Sequence, residues 1–243
     1  MEDNLYFTDE AGSALLCIEN AMEADGVTPQ KIISAPSGFA FNSICIKDNV
    51  AFALAKSSQG FKIFSFALQK DATFVSSDLL EGQLAWLYVG TSSIKVLVNK
   101  ANSWVMYEVN DTSLQLKESL KGTVSLKKCV FVDDAIVYQA SSGGYIQINR
   151  GSNGQTDISE ITGSVSNMTA SGNAVMAQTS DNKFYWFNAK SASFATDVTE
   201  NLDLGSKSVK AMGSSKDNFV LLLSDGSLTK FNPTTSEKKE SQK

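Results

Sequence analysis

The sequence predicts an all-β fold built from a repeated small sheet, and two observations support this prediction. Short apolar runs rich in aromatic and β-branched residues recur along the whole chain, and turns of Gly, Asn, Asp and Ser separate them. No window carries a helical apolar stripe over about 12 residues or more. The best helical candidate, CIENAMEADG at 17–26, is short, and we interpret it as an acidic loop.

The apolar runs return at a nearly constant spacing. Each run follows a polar anchor residue, and three anchors share the phrase Asp-Asn before the run, as in DNLYF, DNVAF and DNFVL. The anchors are Asn4, Asn49, Ser93, Asp134, Asn173 and Asn218, with successive separations of 45, 44, 41, 39 and 45 residues. An internal period of this length indicates repeated supersecondary units, here six of them.

Each unit continues with a short turn and a second run, a pattern typical of a hairpin. The turns read TDEAGS, KSSQG, NKANS, SSGG, SDN and SDG, and the runs after them read ALLCI, FKIFSF, WVMYEV, YIQIN, KFYWFN and SLTKFN. Gly, Asn and Asp tolerate the positive φ that such turns need. The repeated core of the unit is therefore strand, turn, strand.

Two further strands complete the unit. In four units an Asn follows the hairpin with a hydroxyl residue three positions later, which predicts a turn closed by the Asn side chain: Asn110 with Ser113, Asn149 with Ser152, Asn188 with Ser191 and Asn232 with Thr235. More polar strands come next, namely FVSSDL, LQLKESL, TDISEI and FATDVT. Ahead of every anchor except the first lies another short run: NSICIK, AWLYVG, KKCVFV, SNMTAS and VKAMGS.

Four antiparallel strands in about 40 to 45 residues is the pattern of a β-propeller blade. The middle strands FVLLL and AFALA are apolar at consecutive positions, which predicts burial on both faces, whereas the fourth strands are polar as an outer edge should be. The chain resembles the β-propeller superfamily as a divergent, WD-repeat-like member, without the Trp-Asp pair and without histidine. The resemblance implies a propeller of about six four-stranded blades over residues 1–233, followed by a charged tail at 234–243.

The first unit is predicted to be incomplete. Glu2-Asp3-Asn4 aligns with Lys47-Asp48-Asn49 and Lys216-Asp217-Asn218, which connect the first strand of a unit to its second, so the innermost strand of unit one is missing. Three explanations stay open: the chain is a fragment of a longer protein, six-bladed or seven-bladed; a partner donates a strand or blade; or the propeller closes with one three-stranded blade.

Composition narrows the classes of function. The net charge is −5, histidine is absent, and Arg150 is the only arginine, a balance that argues against direct nucleic-acid binding. The cysteines Cys17, Cys45 and Cys129 lie in apolar runs, which predicts buried reduced thiols and a cytoplasmic or nuclear location. No apolar stretch approaches the length of a membrane span.

The candidate active-site features each have a structural explanation. Asp133-Asp134 and Asp9-Glu10 fall at predicted turns, and adjacent carboxylates on a strand would point to opposite faces. The aromatic run Phe184–Phe187 would place two rings on each face of a buried strand, which favours core packing over a stacking platform. The serine-rich stretches SSGG and GSSKD resemble loops. We therefore predict no catalytic, cofactor-binding or metal-ligating residue and no bound cofactor.

The function that remains is a non-enzymatic scaffold for protein–protein contacts. By analogy with other propellers, we expect a subunit, or a fragment of a subunit, of a large eukaryotic assembly of the ribosome-biogenesis, trafficking-coat or nuclear-pore type, with protein partners. One alternative is a propeller that binds or cleaves a small ligand or carbohydrate in its central channel. Another is the luminal propeller of a membrane-anchored complex, in which the sequons at Asn110 and Asn167 would be glycosylated.

Overall fold

The computed structural model describes residues 4–19, 28–69, 72–90, 93–132, 135–141, 144–151, 154–191, 194–202, 204–215 and 218–233. By contacts the chain divides into two compact units, Met1–Thr123 and Val124–Lys243. Each unit contains three small antiparallel sheets, whose strands follow one another along the chain. The fold is that of a six-bladed β-propeller, as predicted.

The first unit contains sheets 1 to 3. Sheet 1 consists of β1 (Leu5–Thr8), β2 (Ala14–Ile18) and β3 (Gln30–Ser34). Sheet 2 consists of β4 (Ala40–Lys47), β5 (Val50–Lys56), β6 (Phe61–Ala67) and β7 (Val75–Ser76). Sheet 3 consists of β8 (Leu84–Val89), β9 (Ile94–Asn99), β10 (Trp104–Val109) and β11 (Leu116–Gly122).

The second unit contains sheets 4 to 6. Sheet 4 consists of β12 (Leu126–Val132), β13 (Ala135–Ala140), β14 (Ile146–Asn149) and β15 (Gln155–Ile158). Sheet 5 consists of β16 (Val165–Ser171), β17 (Ala174–Thr179), β18 (Phe184–Asn188) and β19 (Thr196–Asp197). A 3-10 turn at Thr199–Leu202 leads to sheet 6, with β20 (Val209–Ser215), β21 (Asn218–Leu223) and β22 (Leu228–Phe231).

The predicted turn chemistry is confirmed at the turns after β4, β10, β14 and β18, whereas Thr235 of the predicted Asn232 turn lies outside the described residues. Lys47 pairs with Val50, and Asp48 and Asn49 between them have φ of 49° and 64°, as a two-residue hairpin turn requires. After the third strands, Asn110 Oδ1 accepts the N–H groups of Thr112 and Ser113 at 3.0 and 3.1 Å. Asn149 and Asn188 accept N–H groups two residues ahead in the same way. The anchor Asp134 lies outside the described residues.

The core consists of apolar layers between neighbouring sheets of one unit. Alternate residues of β5 serve two layers: Phe52 and Leu54 pack towards sheet 3, whereas Ala51, Ala53 and Ala55 pack with the aromatic rings near sheet 1. All five are at most 3% exposed. Since both faces of the strand are covered, an unbroken apolar run is needed there, as the sequence indicated.

The same expectation is wrong for FVLLL in β21. Phe219, Leu221 and Leu223 are buried against sheet 5, but Val220 and Leu222 are only half-buried. The difference has a physical reason: side chains alternate along β21, and only the face that carries Phe219, Leu221 and Leu223 lies in the layer shared with sheet 5. GSSKD was also misassigned as a loop, because Gly213–Ser215 belong to β20.

Sheet 1 has three described strands, and β1 occupies the second position of a blade. The turn after β1 contacts the start of the next sheet, because Phe41 N–H donates to Gly12 C=O at 2.8 Å. In sheet 4 the end of β13, a second strand, also contacts the start of the next sheet, where the Val165 N–H donates to the side-chain oxygen of Gln139 at 2.8 Å. The predicted lack of an innermost strand therefore holds for the described residues. The predicted tail at 234–243 lies outside them, and the domain boundaries at 1–233 stay a prediction.

Candidate functional site

Two glutamines occupy equivalent places in sheets 4 and 5, at the ends of their second strands. Gln139 of β13 pairs with Ile146, the first residue of β14, and Gln178 of β17 pairs with Phe184, the first residue of β18. Both side chains are almost fully buried, with 0% and 4% exposed. A buried carboxamide must find hydrogen-bond partners, so the partners chosen by each glutamine characterise its surroundings.

Gln139 closes the junction between sheets 4 and 5. Its Nε2 donates to the carbonyls of Gly144, at 2.9 Å, and of Gly163, which precedes sheet 5. Its Oε1 accepts the N–H of Val165, the first residue of β16, at 2.8 Å. Three bonds therefore satisfy the carboxamide and join the end of one blade to the beginning of the next.

Gln178 makes its bonds within sheet 5 instead. Its Oε1 accepts a bond from Asn167 Nδ2 at 2.9 Å, and its Nε2 donates to Asn182 Oδ1 at 3.2 Å. The residue equivalent to Asn167 in sheet 4 is Lys128, which pairs with Gln139 as Asn167 pairs with Gln178. Asn167 donates to one end of the Gln178 carboxamide and Asn182 accepts from the other, so both ends are satisfied within sheet 5.

A cavity opens between sheets 5 and 6 at the place that the Gln139 carboxamide fills between sheets 4 and 5. Its volume is about 610 Å³, and its wall includes Gln178, Phe184, Thr199, Lys207 and Val209. Phe184 is 1% exposed, and its N–H donates to Thr199 Oγ1 at 2.9 Å, which fixes this wall. Polar side chains around an apolar ring, in a space of this size, are typical of a small binding site.

Lys207, in the wall of the cavity, forms a salt bridge. Lys207 Nζ lies 2.9 Å from Asp225 Oδ2, and both side chains are about half exposed. The pKa of Asp225 is well below the ordinary 3.8, because the Ser227 hydroxyl and Lys207 both bond its carboxylate. Asp225 is therefore anionic at neutral pH, and it offsets the Lys207 charge near the cavity.

The first unit has a smaller cavity of about 460 Å³ along β10 and β11. Its wall includes Glu108, Asp111 and Lys117, next to the turn closed by Asn110. Asp111 also bonds Lys47 Nζ at 3.4 Å. Since its charged groups lie on exposed strand edges and a turn, this cavity lacks the buried polar wall of the first.

Of the two acidic pairs considered from the sequence, the structure describes Asp9-Glu10, which lies at the turn between β1 and β2. Asp9 accepts bonds from the backbone N–H and hydroxyl of Ser13, which closes the turn between β1 and β2 and lowers the pKa of Asp9. Glu10 is exposed. Asp133-Asp134 lie outside the described residues.

The aromatic run of β18 packs in the core, as predicted. Phe184 and Trp186 contact the layer between sheets 5 and 6, whereas Tyr185 and Phe187 contact the layer between sheets 4 and 5. The rings therefore alternate between two covered faces, and they do not form a stacking platform.

The three cysteines are free thiols, and burial raises the pKa of each. Cys17 is buried in β2, where the Tyr6 hydroxyl also bonds it. Cys45 and Cys129 are half-buried in β4 and β12. A raised thiol pKa disfavours the reactive thiolate. The prediction of buried thiols is therefore confirmed fully for Cys17 and in part for the other two.

Within the described ranges, no three His, Cys, Asp or Glu side chains are grouped closely enough to hold a metal ion. The same ranges contain no helix long and apolar enough to cross a membrane.

Gln139 and Gln178 were not among the residues predicted from the sequence to have a role. A signal for them exists: a glutamine stands near the end of two otherwise apolar strands, in AIVYQA and AVMAQ. A polar residue at one register of two buried strands indicates a buried hydrogen-bond site.

Solved β-propellers are similar to this chain in structure but not in sequence. YCF48 bound to a D1 peptide aligns with a TM-score of 0.63 at 13% identity, over 92% of this chain and 73% of that chain. BBS1N in complex with ARL6DN aligns with a TM-score of 0.61 at 12% identity, over 93% and 74%. Hsv2 from Kluyveromyces lactis aligns with a TM-score of 0.59 at 12% identity, over 96% and 74%. No protein-family model and no curated sequence matches the chain.

Proposed function

We propose that this protein is a non-enzymatic β-propeller scaffold that binds other proteins, and that the edge of β1 receives a strand from a partner. The observation that carries the proposal is the three-stranded sheet 1. Its order is β1-β2-β3, so β1 is an edge strand, and no strand described in the structure pairs with its other side. An edge of this kind is a template for addition of a partner's strand.

The register shows which backbone groups face that edge. Asp9 N–H donates to Ala14 C=O at 3.2 Å, and bonded pairs alternate along an antiparallel ladder. Leu5 and Phe7 therefore bond β2, while the backbone groups of Tyr6 and Thr8 point away from β2. Leu5 is also 52% exposed, which gives an incoming strand an apolar side chain to cover.

Two of the similar structures are complexes: YCF48 with a D1 peptide, and BBS1N with ARL6DN. Likeness in fold does not transfer function, so these two complexes support only the general proposal that this chain binds a protein. We further propose that the assembly is cytoplasmic or nuclear, since the three cysteines are free thiols in apolar surroundings.

The test is affinity purification of the endogenous protein, with mass spectrometry of all recovered peptides, for the wild type and two proline variants. Thr8→Pro removes an N–H that points away from β2 and leaves the β1–β2 bonds intact. Lys230→Pro is the matched control, because Leu223 N–H donates to Ser227 C=O and the same alternation directs the Lys230 N–H to the outer edge of sheet 6.

We expect a stoichiometric partner that Thr8→Pro loses and Lys230→Pro retains, with similar circular dichroism and thermal unfolding for all three proteins. A protein recovered alone and monomeric would contradict the scaffold function. A partner retained by both variants would leave the scaffold standing but refute the β1 edge as its site.

A further inference from the structure

The cavity between sheets 5 and 6 is bordered by backbone groups equivalent to those that bind the Gln139 side chain between sheets 4 and 5. Val165 and Gly163 at the start of sheet 5 receive the Gln139 carboxamide. Recurrent backbone bonds identify their counterparts in sheet 6: Ser180 N–H donates to Ser164 C=O, and Ser224 N–H donates to Ser208 C=O, both at 2.8 Å. Val209 therefore corresponds to Val165, and Lys207 corresponds to Gly163.

The counterpart groups border the cavity. Lys207 and Val209 both belong to its wall. Val209 lies opposite Leu223 in the ladder, but Leu223 N–H donates to Ser227 C=O on the far side of β21. The backbone groups of Leu223 thus face β22, so the ladder does not use the Val209 N–H.

Gln178 does not supply the missing carboxamide. Its position corresponds to that of Gln139, but Asn167 and Asn182 hold both ends of its side chain within sheet 5. Among the described residues, no side chain of sheet 5 bonds the carbonyl of Lys207 or the N–H of Val209, so both can receive a group from outside sheet 5. An acceptor and a donor so placed match a primary amide, which offers one of each.

We propose that this cavity binds the side-chain carboxamide of a glutamine or asparagine in an extended peptide segment of a partner protein. The carboxamide oxygen accepts from Val209 N–H, and its NH₂ donates to Lys207 C=O, as Gln139 does with Val165 and Gly163. A volume of about 610 Å³ exceeds one carboxamide and accommodates the neighbouring residues of a peptide. A carboxylate is rejected, because it has no N–H to donate to the carbonyl.

The experiment is an amide NMR titration of the full chain with two capped amino acids, N-acetylglutamine methylamide and N-acetylglutamate methylamide. We expect a saturable shift of the Val209 amide with the glutamine probe and at least a tenfold weaker response to the glutamate probe. The Val165 amide is the internal control, because Gln139 already occupies its site and it should not respond.

Two variants make the test specific. Ser206→Trp places a large side chain in the cavity wall and should abolish the Val209 response. Asn167→Ala removes the donor to the Gln178 oxygen, so the Gln178 side chain should bond Val209 itself. Gln178 then competes with the glutamine probe and should weaken its binding. The same response to both probes, or no saturable shift in the wild type, would overturn the proposal.

This inference rests on the proposed function only in that the ligand belongs to a protein. Because the titration uses capped amino acids, its failure leaves the β1-edge test unaffected. Loss of a partner in Thr8→Pro, in turn, says nothing about the cavity.

Discussion

The junction between sheets 4 and 5 is closed, and the junction between sheets 5 and 6 contains a cavity, although the same type of strand enters both. Gln139 bonds across the first junction, whereas Gln178 bonds within its own sheet. At the other end of the first junction, the Arg150 guanidinium donates two hydrogen bonds to the carbonyl of Ala189, which follows β18 of sheet 5. The second junction has Lys207 and Asp225 at its rim, and both belong to sheet 6 or its approach.

The comparison teaches that a neighbouring residue sets the role of a buried glutamine. Asn167 stands beside Gln178 and donates to its oxygen, whereas the Gln139 oxygen accepts the Val165 N–H of the next sheet and, among the described residues, no bond from the neighbouring Lys128. Identical residues at equivalent positions therefore either bond across the junction between two blades or bond within one blade beside a cavity. Variants that remove a hydrogen bond at one of the two junctions test this difference.

The largest effect is expected for Gln139→Leu. It leaves the buried Val165 N–H without its partner, which costs about 1–3 kcal/mol, whereas the carbonyls of the exposed Gly144 and Gly163 can bond water. We expect a loss of about 2 kcal/mol in the free energy of unfolding, measured by urea denaturation.

Gln178→Leu is the matched control, because the two strands carry the same residue at the same register. Its former partners Asn167 and Asn182 can bond water that enters the cavity, so we expect a loss of about 1 kcal/mol or less. Equal losses for the two variants would refute the difference between the junctions.

Arg150→Lys should come next in size. The Arg150 Nε and Nη2 both donate to Ala189 C=O, at 3.1 and 2.5 Å, and Nη1 donates to Thr156 Oγ1 at 2.8 Å. A lysine cannot reproduce this forked geometry, so we expect a loss of about 1.5 kcal/mol despite the conserved charge. Lys183→Arg, on the other side of sheet 5, is a control for charge and size, and it should change the free energy of unfolding little.

Much of this fold could be predicted because the same local features, a polar turn and a following apolar run, recur in all six units. The Asp-Asn anchors demand a turn with positive φ, and Asp48 and Asn49 adopt it. The continuous apolar run AFALA demands two covered faces, and β5 has them. These are local requirements, which a sequence expresses directly.

The cavity could not be predicted because it depends on whether a buried glutamine bonds across the junction to the next sheet or within its own sheet. Gln139 and Gln178 look alike in sequence, and the difference comes from residues brought beside them by strand register, such as Asn167. The half-burial of Val220 and Leu222 has a similar origin, since it depends on what covers the far face of sheet 6. Pairing across strands and between sheets is set by the whole fold and not by a local pattern.

A smaller effect, about tenfold in rate, is expected in native-state hydrogen exchange. The Val165 amide is held by Gln139 in a buried junction, whereas the Val209 amide faces the cavity, so Val209 should exchange at least about ten times faster. In Asn167→Ala, Gln178 is released towards Val209 and should slow its exchange. Unchanged Val209 exchange in that variant would mean that Asn167 does not control the glutamine.

The smallest effect concerns acid stability at the cavity rim. The pKa of Asp225 is lowered in the folded state, so its bonds to Ser227 and Lys207 stabilise the fold fully above the ordinary value of 3.8. That contribution is lost as the pH falls below 3.8 towards the folded pKa, because protonation of the carboxylate weakens both bonds. Asp225→Asn should therefore unfold at a slightly lower urea midpoint than the wild type at neutral pH, and the two midpoints should converge in acid. A difference independent of pH would assign the effect to packing at the rim and not to the charge of Asp225.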